Sequence, residues 1–279
     1  MSAFNTISQE KLFRLLATPA CPAIVDVRPD EAFDRDPRLI PGAVRRSHLD
    51  VSRWAPLLAG RSAVVACSKG EELSQGVAAL LRHEGVAAEA LEGGLAAWTA
   101  AGLPAIPAFV LPPRDAQGRT AWVTRARPKV DRIACPWLIR RFVDPNALFL
   151  FVPPADVPAV AARFQAAPFD IEDDGVPWSH RGELCTFDAM IAGFGLGEVE
   201  ALGRLAAIVR GADTARPELA PQAPGLLAVS LGLSRMYADD IAQLDAGMLV
   251  YDALYRWCRD AVDETHDWVS HRPRRTVPA

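Results

Sequence analysis

One cysteine, Cys67, lies where a fold could present a nucleophilic thiol. It follows the apolar run at residues 62–66, and a short glycine-containing loop leads from it to a helix predicted to begin near Leu73. The N–H groups of such a loop and of a helix N-terminus favour a thiolate and any anion attached to it. The pattern therefore predicts a site that could hold a persulfide or an oxyanion.

The charged residues of this loop act in opposite directions. Glu71 and Glu72 would oppose ionisation of a thiol within about 6 Å, and they would repel a dianionic ligand, whereas Lys69 offsets part of this. An active thiol here would therefore work against its own acidic neighbours. The alternative is an inert strand-end cysteine that packs as a small hydrophobic side chain.

Residues 122–142 carry five arginines and one lysine. Three of the arginines could hold an oxyanion through bidentate hydrogen bonds: Arg125, Arg127 and Arg132. A solvated helix whose arginines pair with acidic residues explains the same pattern, and the pattern alone favours that explanation.

Pro136 restricts the helix that this segment forms. Either Pro136 occupies the first helical position with Cys135 as the cap, or the helix begins at Asp131, so that Asp131 and Cys135 share a face. Both alternatives are compatible with the sequence.

Four metal-capable side chains lie close together further along the chain: His180, Glu183, Cys185 and Asp188. Their spacing matches no standard zinc pattern. Thr186 as a helix cap, with Asp188 in the first turn, is a sufficient structural reason for both of those residues. A transition metal in the C-terminal half is therefore a prediction from side-chain chemistry, and Asp213 could converge on the same site.

The elements that must position these side chains differ along the chain. In residues 5–105, buried runs alternate with helical patterns, and Ser8 can cap the first helix. This predicts an α/β fold with a parallel sheet flanked by helices, in which ligands bind at the carboxyl ends of the strands. Residues 106–119 are predicted to form a proline-rich linker.

Residues 120–265 are predicted to form a mainly helical α+β domain. A single strand is expected at residues 147–152. Helical patterns fall at residues 133–143, 156–166, 186–192, 198–209, 225–233 and 244–258.

Composition excludes several classes of protein. The chain of 279 residues is 50% hydrophobic and 23% charged, with a net charge of −4, so we expect neither nucleic acid nor an anionic membrane as a partner. No signal-peptide pattern or apolar run of about 20 residues is found, and we expect a cytoplasmic protein. Five scattered cysteines without a C-x-x-C pair argue against a disulfide framework and a tetrathiolate zinc site.

The first half resembles a single rhodanese domain over residues 5–105. The resemblance rests on the order of Asp26-Val27-Arg28, Phe33, Ile40-Pro41-Gly42-Ala43, the Cys67 loop, and Leu91-Glu92-Gly93-Gly94 with Trp98. It implies a sulfurtransferase with a small sulfur donor and a thiol acceptor, in which Cys67 receives sulfane sulfur as a persulfide. The cradling amides would belong to Ser68, Lys69, Gly70, Glu71, Glu72 and Leu73.

Two further residues are interpreted through this resemblance. Arg28 would be a structural or pocket-edge arginine. Many active rhodaneses carry an arginine where Glu72 stands here. Together with the repulsion of a thiosulfate dianion by Glu71 and Glu72, the resemblance therefore implies poor thiosulfate turnover, with a protein persulfide or a low-molecular-weight thiol as the better donor.

The second half resembles the C-terminal domain of the ChrB chromate-resistance proteins over residues 120–260. The matching blocks include WVTRARPKVDRIACPWLIRRFV, FDIEDDGVPWSHRGELCTFD, LGRLAAIVRGADT and LVYDALYRWCR. The resemblance implies a role in chromate resistance or stress response, with an oxyanion such as chromate as a ligand. Two hypotheses follow: a rhodanese-type enzyme joined to an oxyanion- or metal-responsive domain, or a non-catalytic chromate or metal sensor or accessory protein.

Overall fold

The computed structural model describes residues 5–172 and 175–265. The helices of its first half are α1 (Gln9–Leu15), α2 (Asp30–Arg35), α3 (Val51–Trp54), α4 (Glu72–His83) and α5 (Gly94–Ala100). The strands are β1 (Thr6–Ile7), β2 (Ala23–Asp26), β3 (Arg38–Leu39), β4 (Ala43–Arg45), β5 (Ala63–Ala66), β6 (Ala88–Leu91) and β7 (Ile106–Pro107).

Five of these strands form a parallel sheet in the order β1-β6-β5-β2-β4. Side chains alternate across it, so Val65 and Cys67 face the side of α3 and α4, whereas Val64 and Ala66 face the other side. Ser8 caps α1 by accepting a hydrogen bond from the Lys11 N–H. The predicted parallel sheet with flanking helices is confirmed.

The segment after α5 follows the surface of the first half. β7 pairs antiparallel with β3, joining Leu39 to Ile106. Further on, the Arg46 guanidinium donates to the carbonyl of Gln117 at 3.0 Å. Backbone pairing and a side-chain contact therefore hold this proline-containing segment against the sheet domain.

The second half is mainly helical around a small parallel sheet. Its strands, in the spatial order β10-β8-β9, are β8 (Ala121–Arg125), β9 (Leu148–Val152) and β10 (Ala167–Pro168). Its helices are α6 (Asp131–Leu138), α7 (Val157–Phe164), α8 (Thr186–Gly193), α9 (Glu200–Asp213), α10 (Ala223–Met236) and α11 (Asp240–Asp260). The predicted fold class is confirmed, although the sequence did not indicate β8.

α6 begins at Asp131, so the alternative with Pro136 at the first helical position is wrong. Pro136 lies inside the helix, where it cannot donate the usual backbone hydrogen bond. The helix continues as a π-helical turn over Ile139–Val143, and the Asp144 N–H bonds the carbonyl of Ile139 at 2.8 Å. The almost wholly buried helix therefore contains a proline and ends in a wider, π-helical turn.

One apolar core runs through both halves. Leu16 and Trp98 of the first half belong to the same buried cluster as Trp137 and Phe142 of the second. The Gly42 N–H also bonds the carbonyl of Phe142 at 2.6 Å. The two halves therefore stabilise each other through shared burial.

Within the described residues, none of the helices combines the length and the apolar character needed to cross a membrane.

Candidate functional site

The Cys67 loop holds a connected set of hydrogen bonds at the carboxyl end of β5. The Gly70 N–H donates to Cys67 Sγ at 3.2 Å, and the Cys67 thiol donates to Ser74 Oγ at 3.3 Å. Ser74 is fully buried in the first turn of α4 and donates in turn to the carbonyl of Glu71 at 3.2 Å. Cys67 therefore has an amide that donates to its sulfur and a hydroxyl that accepts a hydrogen bond from its thiol.

The backbone of this loop is locked by the start of α5. The N–H groups of Leu95 and Ala96 bond the carbonyls of Cys67 and Ser68 at 2.9 and 3.0 Å. Gly70 has a φ of +72°, and a Cβ there would lie 2.4 Å from the carbonyl oxygen of Leu91. The loop therefore requires glycine for its backbone conformation and for its close approach to β6.

The charged side chains of the loop are exposed. Ser68, Lys69, Glu71 and Glu72 all have exposed side chains, whereas Leu73 is half-buried. Glu71 contacts Ser74 through its backbone carbonyl. Solvent screening therefore weakens the effect of both glutamates on the thiol.

Arg28 lies in a structural position. It is 3% exposed and pairs with Asp26, at 2.9 Å from Nε to the nearer carboxylate oxygen. It also donates to the carbonyls of Asp36 and Arg38. Its hydrogen bonds therefore tie the end of β2 to the start of β3 and to the residues just before it.

A second cluster lies in the other half, around a cavity of about 360 Å³. His180 Nε2 lies 3.5 Å from Asp131, 3.5 Å from Asp170 and 3.3 Å from Asp213, each measured to a carboxylate oxygen. The carboxyl ends of the parallel strands β8 and β10 meet at this point, which is where a parallel sheet places ligand-binding groups. Asp131 begins α6 and Asp213 ends α9, so four elements and the loop that carries His180 build this acidic pocket.

Two of the three predicted arginines reach the acidic pocket. Arg125 and Arg132 pair with the same oxygen of Asp170, at 3.4 and 3.1 Å. Arg127 instead donates to backbone carbonyls at the end of α10, among them that of Tyr237 at 2.9 Å. The structure therefore separates Arg127 from the other two arginines.

Burial and mutual interaction shift the pKa values of the titratable side chains in the acidic pocket. Burial raises the pKa of Asp131 to about 6. Interaction with the carboxylates of Asp131, Asp170 and Asp213 raises the pKa of His180 to about 12. Burial opposes the ionisation of Asp170, but His180, Arg132 and Arg125 lower its pKa on balance. The surrounding carboxylates therefore favour the protonated form of His180.

The structure does not bring the four predicted metal-capable residues together. Glu183 is exposed and lies 3.3 Å from Arg216. Cys185 is buried at the start of α8, where its Sγ lies 3.3 Å from Asp188, and Asp188 pairs with Arg210 at 2.7 Å. Of the four, His180 alone faces the acidic pocket. Cys185 and Asp188 form a helix cap.

Sequence reasoning missed Asp170 as a partner of His180. Asp170 lies just after β10, separated from it by Phe169, and has a φ of +50°, a left-handed conformation that is uncommon outside glycine. Its position after a short strand was the available signal, but a two-residue strand is too short to be recognised by periodicity.

Comparison with known proteins defines the class of each half. Residues 8–101 match the family model of the rhodanese-like domain. Residues 122–258 match the family model described as ChrB, C-terminal domain. The chain therefore joins a rhodanese-like domain to a ChrB C-terminal domain.

Among curated proteins, Protein ChrB from Cupriavidus metallidurans is 39% identical over 143 residues. The match covers 51% of this chain and 42% of that protein, so the chain spans less than half the length of this relative.

Comparison with solved structures gives several matches that cover about a third of this chain. A rhodanese-related protein from Thermoplasma volcanium is 19% identical, with 37% of this chain and 98% of that chain covered and a TM-score of 0.33. A rhodanese-like domain protein from Staphylococcus aureus is 26% identical, with 34% and 91% covered and a TM-score of 0.31. A thiosulfate sulfurtransferase from Pseudomonas aeruginosa is 26% identical, with 36% and 19% covered and a TM-score of 0.33.

Proposed function

We propose that this protein acts in chromate resistance as a rhodanese-type sulfurtransferase that carries sulfane sulfur on Cys67. The observation that carries the proposal is the Cys67 sulfur at the end of β5, which accepts the Gly70 N–H and donates to Ser74 Oγ. The rhodanese-like match supports the sulfur chemistry, and the likeness to ChrB supports the chromate context.

The proposed step is a transfer of sulfur between thiols. The Cys67 thiol loses its proton to solvent, and the thiolate, which accepts the Gly70 N–H, attacks the outer sulfur of a donor persulfide. A new S–S bond forms on Cys67 while the donor S–S bond breaks, and the donor leaves as a thiolate that takes up a proton from solvent. The terminal sulfur of the Cys67 persulfide then passes to an acceptor thiolate, which restores Cys67. The N-terminus of α4 stabilises the anionic sulfur through its N–H groups and dipole.

The surface of the loop favours a donor of low charge. Glu71 and Glu72 are exposed beside the loop, so a thiosulfate dianion meets two negative charges on approach, with Lys69 as the nearby cation in the sequence. A protein persulfide or a low-molecular-weight persulfide avoids most of this repulsion. We therefore propose these as donors ahead of thiosulfate.

Mass spectrometry of the protein after incubation with sulfane donors tests the proposal. We expect a gain of one sulfur atom, located on the peptide that contains Cys67, with glutathione persulfide more effective than thiosulfate. Cys67→Ser should lose the added sulfur. Cys21→Ser is the matched control, since Cys21 is another free cysteine of the same half and is less buried. Failure of every donor to add sulfur to Cys67 would overturn the proposal.

A second candidate function is a non-catalytic chromate or metal sensor. The burial of Cys67, which is 6% exposed, favours it because a donor must reach the sulfur. In this case the first half would serve as a binding module, and no donor would load Cys67, whereas a ligand of the second half would still bind. The two candidates therefore predict opposite results in the same sulfur-loading experiment.

A further inference from the structure

We propose that Asp131, Asp170, Asp213 and His180 bind one divalent transition-metal ion. The four side chains line the acidic pocket in the second half. The sulfur chemistry proposed for Cys67 does not use them. The inference therefore goes beyond the proposed function and is independent of it.

The distances around His180 suit a metal ion better than a set of hydrogen bonds. The three separations of 3.3–3.5 Å exceed the normal range of about 2.7–3.2 Å for an N–H···O hydrogen bond. Two ligand atoms of a tetrahedral ion with bonds of about 2.1 Å lie about 3.4 Å apart. Oxygen atoms of Asp131 and Asp170 and a nitrogen of His180 also lie within 4.8 Å of one another. These separations allow Asp131, Asp170 and His180 to share one ion after small adjustments, and Asp213, which lies 3.3 Å from His180, can complete the set by a larger adjustment.

The N–H of a protonated His180 cannot provide hydrogen bonds for all three carboxylates around it. His180 Nε2 can carry one N–H, which can point at one oxygen, yet carboxylates from three segments converge on it. Asp131 is 2% exposed, and its Oδ1 has no hydrogen-bond partner within the described part of the chain. A buried carboxylate oxygen without a partner is unfavourable. Since Asp131 lines the pocket, a cation there would supply the missing interaction.

The groups behind the carboxylates hold them in place. The Thr186 N–H donates to Asp131 Oδ2 at 2.6 Å, and Thr186 Oγ1 donates to Asp170 Oδ1 at 3.1 Å. Arg132 fixes the other oxygen of Asp170. Such outer contacts orient metal ligands and are a regular part of metal sites. The left-handed backbone of Asp170 is a further constraint of the kind found at functional sites.

The donor set indicates the class of ion. Three carboxylate oxygens and one imidazole nitrogen suit Mn²⁺, Fe²⁺ or Zn²⁺ better than Mg²⁺ or Ca²⁺, which prefer oxygen alone. Cys185 Sγ contacts Asp188, so it does not add a soft ligand that would favour copper.

The pocket leaves room for a further ligand on the ion. Its volume of about 360 Å³ exceeds that of a single ion, and Lys129, Arg125 and Arg132 also line it. These cations favour an anion as the additional ligand. The site therefore resembles an open, ligand-binding metal site more than a closed structural one.

Calorimetric titration of the full chain tests the site. Protein without an affinity tag is stripped with a chelator and titrated separately with Zn²⁺, Mn²⁺ and Mg²⁺. We expect one transition-metal ion per chain and weaker binding of Mg²⁺. His180→Gln and Asp170→Asn should each weaken binding at least about tenfold. Glu183→Gln is the matched control, since this carboxylate lies on the same loop but contacts Arg216.

Two measurements keep the test decisive. Circular dichroism identifies variants that fail to fold, and His180→Gln is the main variant because its ring is 42% exposed. Titration with Co²⁺ should give visible absorption bands that His180→Gln changes and Glu183→Gln does not. The proposal is overturned if none of the transition metals binds, or if folded His180→Gln and Asp170→Asn keep the wild-type affinity. Neither result affects sulfur loading of Cys67, which the cysteine variants test separately.

Discussion

The Cys67 loop and the acidic pocket differ in the kind of group that forms their contacts. In the loop, the groups around the sulfur come from one short segment, and backbone N–H and carbonyl groups supply most of the contacts. In the pocket, side-chain carboxylates accept most of the contacts, and the hydrogen bond from the Asp131 N–H to the Asp213 carboxylate spans 82 residues of sequence. A backbone-built site is sensitive to added Cβ atoms, whereas a side-chain-built site is sensitive to charge and pH.

The two sites nevertheless depend on the same core. The buried cluster that includes Trp98 behind the sheet also includes Phe142 beside the helices of the second half. Substitutions in this shared core should therefore affect both sites, and substitutions within either site should affect that site alone. The following predictions test this difference, beginning with the largest expected effect.

Phe142→Ala should destabilise the whole chain. Phe142 is fully buried, packs against Trp137 and Tyr255, and its carbonyl accepts the Gly42 N–H. We expect the free energy of unfolding to fall by about 3–5 kcal/mol. Urea denaturation followed by tryptophan fluorescence and by labelling of the Cys67 thiol measures both halves.

Phe164→Ala is the control for this prediction, since Phe164 is 58% exposed and should change the stability by less than about 0.5 kcal/mol. Separate transitions in the two signals of Phe142→Ala would contradict the shared core.

Gly94→Ala should damage the Cys67 loop. Gly94 has a φ of +57°, and an added Cβ would lie 2.3 Å from the carbonyl oxygen of Cys67. Backbone strain alone should cost about 1–3 kcal/mol, and the displaced loop should load less sulfur. Urea denaturation and sulfur loading measured by mass spectrometry report the two effects.

Gly76→Ala provides the opposite case within α4. A Cβ at Gly76 would meet no atom within 4 Å, and alanine should stabilise the helix by up to about 1 kcal/mol. If Gly94→Ala and Gly76→Ala had the same effect, the close packing of the loop would not be required.

The first half could be predicted well from the sequence because its signals are local. Alternating buried runs and helices define the parallel sheet, and the strand, loop and helix around Cys67 follow one another directly in the chain. The close contact of Gly93 and Gly94 with the Cys67 loop was not predicted. It could not be derived from periodicity, because the contact joins segments about 25 residues apart.

The second half shows why proximity along the chain is a poor guide to a site. His180, Glu183 and Cys185 are neighbours in sequence, but the turn between them directs Glu183 to Arg216 and Cys185 into a helix cap. The partners of His180 come from the ends of other elements. The sequence left the position of Pro136 open between two alternatives, and it could not decide for the helix interior because burial there overrides the preference of proline for the first turn.

Arg125→Ala and Arg132→Ala should weaken anion binding at the acidic pocket, whereas Arg127→Ala should not. The first two arginines line the pocket, and Arg127 bonds backbone carbonyls near Tyr237. Calorimetry with sulfate, a non-oxidising tetrahedral dianion, measures the effect. Loss of one charge-assisted interaction should reduce the affinity about tenfold. Equal affinity in all three variants would place these arginines among ordinary surface ion pairs.

His180→Gln should have the smallest effect on stability, and its pH dependence distinguishes the two sites. In chelator-treated protein, the carboxylates raise the pKa of His180 to about 12, against about 6.5 for an unperturbed histidine. A raised pKa gives a stabilising contribution that is complete below about pH 6.5 and declines as the pH rises towards the folded value. Burial also raises the pKa of Asp131 to about 6. The contribution of Asp131 to stability is therefore also lost as the pH rises, but over a lower pH range than that of His180.

The difference in unfolding free energy between the wild type and His180→Gln should therefore shrink from pH 6 to pH 9 in urea denaturation. The exposed fraction of the ring keeps this difference modest, since solvent screens its charge. The difference between the wild type and Gly76→Ala should stay constant over the same range, because that substitution changes no titrating group. A difference for His180→Gln that is constant or grows with pH would mean that the carboxylates do not stabilise a charged histidine, and the contrast between the two sites would lose its electrostatic basis.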